Sequence, residues 1–333
     1  MTHTLPNSLA RACALLALTC TALFADVRLE KVDYPFPVKT FAFESQQQPL
    51  EMVYMDIPAK GEPKGVVVMF HGKNFNGSYF EQTAKDLSQA GYRVVLPDQI
   101  GFGKSSKPQH YQFTFQQLAE NNHALLKELG IEKFQLLGHS MGGMLATRYA
   151  LMYPEQVESL TLLNPIGLED WKAKGVPYLS VDQWYASELK KSADKIKTYQ
   201  LDSYYDGKWK PAYQPWVDQL VYFIESPDYS LMAWDQALTY DMIYTQPVVY
   251  EFPELTMPTL LIIGQRDTTA LGKNLVSPEQ KKLLGNYPAL GRAAHEAIPD
   301  SELVEIPGIG HLPHIEAYDQ FIGPYEAFLD KHN

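Results

Sequence analysis

The sequence predicts an α/β protein: a mostly parallel central sheet flanked by helices, with a mainly helical subdomain inserted into it. Three observations carry that expectation. Short apolar runs rich in β-branched residues recur along the chain, as strands buried on both faces require. Stretches with apolar residues at helical spacing lie between them, with Gly91 and Gly130 placed as stops beyond two of these. From residue 166 to residue 256 the apolar runs cease, and all five Trp and 11 of the 21 Tyr gather there.

Taken in order, residues 1–25 read as a secretory signal rather than as part of the fold. Arg11 is the one formally charged side chain, and the largely apolar run from Ala12 to Ala25 ends on a small residue. That run is shorter than the ~20 residues that cross a bilayer. Cleavage would leave a mature chain without a stable membrane span, in the periplasm or secreted. Cys13 and Cys20 both fall in this segment, so the mature chain would carry no thiol nucleophile and no cysteine metal ligand.

Residues 40–44 and 50–57, joined by a Gln-rich turn, predict an antiparallel hairpin at one sheet edge. Strands follow at 65–70, 92–96, 134–137 and 160–163, alternating with helices at 79–89, 115–129 and 141–152. The core therefore comprises 26–165, an aromatic-rich lid 166–256, and the remainder of the core 257–333. That last part holds strands at 259–263 and near 303–306 and a closing helix over 316–331. The chain has 333 residues, 45% of them hydrophobic, and 28 basic against 39 acidic side chains give a net charge of −11. This composition excludes disorder, and without a run of Lys or Arg the electrostatic footprint of nucleic-acid binding is missing.

The sharpest chemical signal is Gly138-His139-Ser140-Met141-Gly142-Gly143, directly after one predicted strand and opening a helix. G-x-S-x-G in that setting is a nucleophile elbow, which holds Ser140 on a strained turn above the sheet. A serine hydroxyl needs a base to take its proton and a carboxylate to orient the base. Asp267 stands on the loop after the 259–263 strand, at the sheet end where ligands gather, with Glu169 and Asp170 in reserve. His311, in the loop Pro307 to His314 that follows the last strand, is the expected base, and His314 is the alternative. His139 is read as a packing and hydrogen-bonding neighbour of the elbow rather than a catalyst. Two backbone N–H groups must bind the oxyanion: Met141, after the nucleophile, and Lys73, in His71-Gly72-Lys73-Asn74, with Asn74 second. The Lys73 side chain is read as exposed at the pocket mouth.

With these motifs in the order Ser, Asp, His, the chain resembles the α/β-hydrolase superfamily. The resemblance rests on HGKN at 71–74, DxxGxGxS from Asp98 to Ser105, GHSMGG at 138–143, GQRD at 264–267 and GHLP at 310–313. It implies an α/β-hydrolase fold in which Asp98, Gly101 and Gly103 shape a loop beneath the site rather than react. Haloalkane dehalogenases and typical epoxide hydrolases resemble the chain in fold but use Asp where this sequence has Ser140, which argues against an alkyl-enzyme. HGKN departs from the Pro- or Gly-rich versions of related subfamilies, so their substrates do not carry over.

The expectation is a serine hydrolase that cleaves carboxylic esters through an acyl-enzyme, without metal or organic cofactor, on a small-molecule ester-like substrate. An amidase, aminopeptidase or C–C bond hydrolase with the same triad is the alternative, as is a non-catalytic receptor on the same fold. The aromatic lid implies a partly apolar acyl or alcohol group.

Overall fold

A computed structural model describes residues 27–333. The expected export signal and both cysteines lie outside these residues. Eight strands form one sheet in the order β1-β2-β4-β3-β5-β6-β7-β8. They are β1 (Val38–Ser45), β2 (Gln48–Ile57), β3 (Gly65–Phe70), β4 (Tyr92–Pro97), β5 (Phe134–His139), β6 (Val157–Leu163), β7 (Thr259–Gly264) and β8 (Ser301–Ile306). The β1–β2 and β2–β4 pairs are antiparallel, and the other five are parallel.

The edge hairpin turns on Gln46 and Gln47, both at positive φ (51° and 61°), the signature of the tight turns that match strand twist. Gln46 is anchored there by a two-way hydrogen bond with the Gln112 backbone. In the middle of the sheet, side chains alternate between two cores, as a period of two dictates. Val68 and Phe70 of β3 face one, with Leu261 and Ile263 of β7, while Val67, Met69, Leu260 and Ile262 face the other. The first core is closed by α2 (Phe115–Glu128), α3 (Met141–Met152) and α9 (Tyr287–Ala297), the second by α1 (Glu81–Gln89) and α11 (Tyr318–Lys331). Helices on both faces explain why β5 and β7 are buried along their whole length.

Local chemistry sets the helix ends. Thr114 caps α2, its hydroxyl oxygen accepting from Gln117 N at 2.9 Å, and Gly130 beyond the other end takes φ 66°. Between β6 and β7 lie four helices, α4 (Val181–Glu188), α5 (Ala193–Ser203), α6 (Gln214–Glu225) and α7 (Tyr229–Thr245). They form the inserted, lid-like region. A short helix, α8 (Pro278–Lys281), precedes α9.

Two elements differ from the sequence expectation. Helix α9 is not anticipated from the sequence; Pro288 stands in its first turn and Gly291 within it, and a β-carbon at Gly291 would lie 2.9 Å from Ile263 Cγ1, so the helix packs close on the sheet because that position is glycine. The closing helix is α11, close to the expected span, but a separate short helix, α10 (Pro313–Glu316), precedes it, parted from it at Ala317 (φ −142°, ψ 55°). The break frees the Glu316 carboxylate to bind Arg266 Nη2 at 2.5 Å and Gly310 N at 2.8 Å, which fixes the loop ahead of His311.

Candidate active site

Ser140 sits between β5 and α3 at φ 57°, ψ −121°, a conformation that costs a side-chain-bearing residue energy and holds only where its surroundings enforce it. The enforcement is steric and polar. A β-carbon on Gly142 would lie 2.1 Å from Phe70 O, and one on Gly138 would lie 2.2 Å from Gly142 O, so strand, turn and helix meet at backbone distance. Ser140 O accepts from Gly143 N at 2.9 Å and from Ile166 N at 3.1 Å.

The turn brings Ser140 Oγ to 2.9 Å from His311 Nε2, and His311 Nδ1 lies 2.6 Å from Asp267 Oδ2. Asp267 is an acceptor, so Nδ1 carries the hydrogen and Nε2 is left to take one from the serine. Asp267 and His311 are almost wholly buried. Burial pushes the Asp267 carboxyl up, but the charge and hydrogen bond of His311 and the Thr269 hydrogen bonds outweigh it and hold it below its ordinary value. Asp267 Oδ1 accepts from Thr269 N at 2.8 Å, and Oδ2 also accepts from Asn164 Nδ2 at 2.9 Å.

The reserve candidates lie elsewhere in the hydrogen-bond network. Glu169 accepts from Gly285 N at 2.9 Å and pairs with Lys174 at 2.5 Å, and Asp170 holds the Tyr250 hydroxyl at 3.0 Å. His314 is packed against Tyr79, Phe80, His139 and Phe321, and neither ring nitrogen has a hydrogen-bond partner within the protein. Burial, with the neighbouring His311, pulls its imidazole down to about 3, so it is neutral.

His139 both packs and hydrogen-bonds beside the elbow, as expected. Its Nε2 donates to the His311 carbonyl at 2.8 Å, which leaves Nδ1 to accept from Tyr79 Oη at 2.8 Å, and Tyr79 Oη in turn accepts from Gly72 N at 2.9 Å. A directional chain of hydrogen bonds thus ties the loop before Lys73 to the loop carrying His311. Burial keeps the His139 imidazole well below its ordinary value and the Tyr79 phenol well above its own, so both stay neutral and the chain keeps its direction.

Met141 is the first residue of α3, where backbone N–H groups lack intrahelical acceptors, and Lys73 lines the same cavity as Ser140. The Lys73 side chain is not exposed, contrary to the sequence reading. Its Nζ is buried under the lid and donates to Gln236 O (2.9 Å), Gln236 Oε1 (2.5 Å) and Thr239 Oγ1 (2.9 Å), above the Tyr240 ring at 3.8 Å. Burial drives its ammonium well below the ordinary lysine value. Asn74 donates through Nδ2 to the Tyr204 hydroxyl at 2.9 Å.

Asp98 accepts from Gly77 N (2.8 Å), Lys104 N (2.8 Å) and Tyr34 Oη (2.7 Å), and a β-carbon at Gly103 would lie 2.0 Å from Asp98 Oδ2. The pair therefore shapes the loop. His71 is likewise saturated, with Nδ1 on Gly72 O and Nε2 accepting from Gln99 N, both at 2.9 Å.

Besides Tyr79, two contributors escaped sequence reasoning. Asn164 takes φ 36° at the end of β6, where its side chain bridges Asp267 Oδ2 and, through Oδ1, Gly264 N at 2.8 Å. The Asn-Pro pair directly after a strand is the signal that could have found it. Tyr204, from the lid, stacks on His311 with centroids 5.1 Å apart and planes 20° apart.

The cavity above Ser140 measures about 310 Å³ and is walled by Phe75, Ile166, Trp184, Ile196, Leu220 and Ile243 among others. No group of three or more His, Cys, Asp or Glu side chains among the described residues could hold a metal ion. The family model of the alpha/beta hydrolase fold matches residues 65–318. The chain belongs to that family. A solved structure, that of a probable hydrolytic enzyme from Pseudomonas aeruginosa PAO1, is 52% identical over 91% of this chain and 96% of its own, with a TM-score of 0.89. Lipase 1 of Psychrobacter immobilis is 27% identical over 80% of this chain and 77% of its own length. Lipase 3 of Moraxella sp. is 26% identical over 91% and 88%.

Proposed function

We propose that the protein is a serine hydrolase that cleaves carboxylic esters through an acyl-enzyme. The observation that carries this reading is the continuous contact Ser140 Oγ to His311 Nε2 to His311 Nδ1 to Asp267 Oδ2, at 2.9 and 2.6 Å. Similarity to two bacterial lipases supports the ester bond as the target. His311 takes the Ser140 proton as Oγ bonds to the ester carbonyl carbon, and the C=O electron pair becomes an oxyanion held by the Met141 and Lys73 N–H groups. The imidazolium then gives its proton to the departing alcohol, and water, activated the same way, releases the acid. Asp267, oriented by Asn164 and Thr269, holds His311 in the tautomer this needs. The apolar cavity wall suits an acyl group of small to medium size.

The export signal expected at residues 1–25 supports action in the periplasm or outside the cell; fractionation of cells producing the full chain tests it, and retention in the cytoplasm with an uncut N-terminus would refute it. Labelling with a fluorophosphonate tests the reading of the site. The expected adduct is on Ser140, absent from Ser140→Ala, with ester hydrolysis lost in parallel. A folded sample that neither labels nor hydrolyses any ester would favour a ligand-binding role.

A further inference from the structure

The proposed ester hydrolysis leaves open which esters, and the mouth of the cavity answers in part. Outside the Ser140 cavity lies a second hollow of about 580 Å³, which shares Trp184, Lys191, Lys195 and Tyr199 with it and so continues it outward. Four lysines line this vestibule, Lys190, Lys191, Lys195 and Lys273, against one carboxylate, Glu188. Glu188 is already paired, with Lys191 at 2.8 Å. Lys195 Nζ donates to Lys190 O and Lys273 Nζ to Thr268 O, both at 2.9 Å. Carbonyl oxygens fix these two ammonium groups in place without cancelling their charge. Among the lining residues the lysines therefore outnumber carboxylates by three, although Glu169 and Asp267 act on Lys273 from outside the hollow, at one entrance of a chain whose net charge is −11.

We propose that the substrate is an ester carrying a second, anionic group, a carboxylate or phosphate, which sits among Lys190, Lys195 and Lys273 while the ester lies at Ser140. This rests on the ester-hydrolase reading above. The inner cavity is apolar and accommodates a hydrocarbon portion, while the vestibule is wide, polar and basic, so the complementary molecule is amphiphilic with its charge at one end. Opposite charge at a concave mouth both raises the encounter rate and fixes orientation. A soluble ester and a lipid headgroup present the same anionic chemistry to this vestibule.

The test compares kcat/KM for matched neutral and anionic esters, each corrected for uncatalysed hydrolysis. One pair places the charge on the acyl side (4-nitrophenyl methyl adipate against mono-4-nitrophenyl adipate). The other places it on the alcohol side (methyl 4-acetoxybenzoate against 4-acetoxybenzoate). A third arm offers vesicles of phosphatidylcholine with and without phosphatidylglycerol. The expected result is a preference of about tenfold or more for the anionic member in at least one arm, shrinking as salt rises from about 20 to about 500 mM. That preference should fall at least about fivefold in Lys190→Gln/Lys195→Gln/Lys273→Gln and persist in Lys197→Gln, whose ammonium lies over the Trp209 ring and does not line the vestibule. Preference in the soluble pairs assigns a small anionic ester, and preference confined to vesicles assigns an anionic lipid. Equal or better hydrolysis of the neutral member in every arm, or a preference untouched by the triple substitution, overturns the proposal while leaving ester hydrolysis intact. Failure to hydrolyse any ester, by contrast, defeats the underlying reading.

Discussion

The sheet end that carries Ser140, Asp267 and His311 and the lid that covers it solve burial in opposite ways. Beneath the lid every polar atom of the triad has a partner, and hydrogen bonds from Asn164, the Thr269 N–H and His139 extend that network outward as far as the Thr269 hydroxyl and the His314 ring, which have none within the protein. In the lid, Gln200, Tyr205, Trp216 and Asp235 each bury a polar atom that has no hydrogen-bond partner within the protein. Saturated networks fix one geometry, which proton transfer needs, whereas unsatisfied groups cost stability wherever they are buried. The lid is held instead by aromatic stacking, as in Tyr205 on Tyr213 at 3.6 Å and Trp184 on Tyr240 at 4.5 Å, and by the Lys73 ammonium that pins α7 to the loop after β3. The comparison teaches that precision is concentrated where bonds are made and broken, and that adaptable apolar packing surrounds it.

The largest effect should come from the core. Ser140→Ala and His311→Ala are each expected to lower kcat/KM for a simple ester by roughly three to six orders of magnitude, and the double variant by little more, because the pair acts as a unit. Additive losses in steady-state kinetics would break the idea of one coupled site.

Next comes Tyr79→Phe, which removes one hydroxyl and strands both Gly72 N–H and His139 Nδ1. A stability loss of about 1–3 kcal/mol is expected, with kcat falling roughly tenfold and KM nearly constant, since the loop before the Lys73 donor loses its anchor. Chemical denaturation beside Michaelis kinetics checks both, and an unchanged kcat would reduce the chain of hydrogen bonds to a packing feature.

The lid side of the comparison is tested at Asp235. Burial pushes its carboxyl well above the ordinary range, although Lys107 and Lys73 oppose this. An acid whose folded pKa is raised costs nothing below the unfolded carboxylate range and progressively more as pH rises toward the folded value. Asp235→Asn should therefore raise the melting temperature more at pH 8 than at pH 4, by about 2–4 °C in the difference. Equal shifts at both pH values would show that the carboxyl ionises as easily folded as unfolded.

The smallest effect is expected at His314. Neutral, unpartnered and boxed by rings, it should accept Phe with kcat/KM changed less than about threefold and stability unchanged or slightly higher. A loss approaching that of His311→Ala would mean that His314, not His311, moves the proton.

The residues of the triad were legible because each follows a strand on a loop punctuated by glycine, and strand ends on one side of a parallel sheet must converge. Asn164, Tyr79 and Tyr204 were not, since their roles depend on partners 60 to 107 positions away that no local pattern names. Lys73 was misread for the same reason: its exposure is decided by α7, more than 160 residues downstream. Helix α9 was not anticipated because Gly291 reads locally as a breaker, while its use, the close approach to Ile263, is set by a strand residue 28 positions upstream.

By itself the sequence determined the α/β class, the position of the insertion, the nucleophile Ser140 and the loops that supply its partners, since periodicity and turn chemistry act over a few residues. Only the tertiary structure decided which histidine meets Ser140, what holds Asp267 ionised, and which lysines gather at the mouth. Those outcomes depend on desolvation and on distances between distant segments, and both come into being when the sheet closes and the lid docks on it.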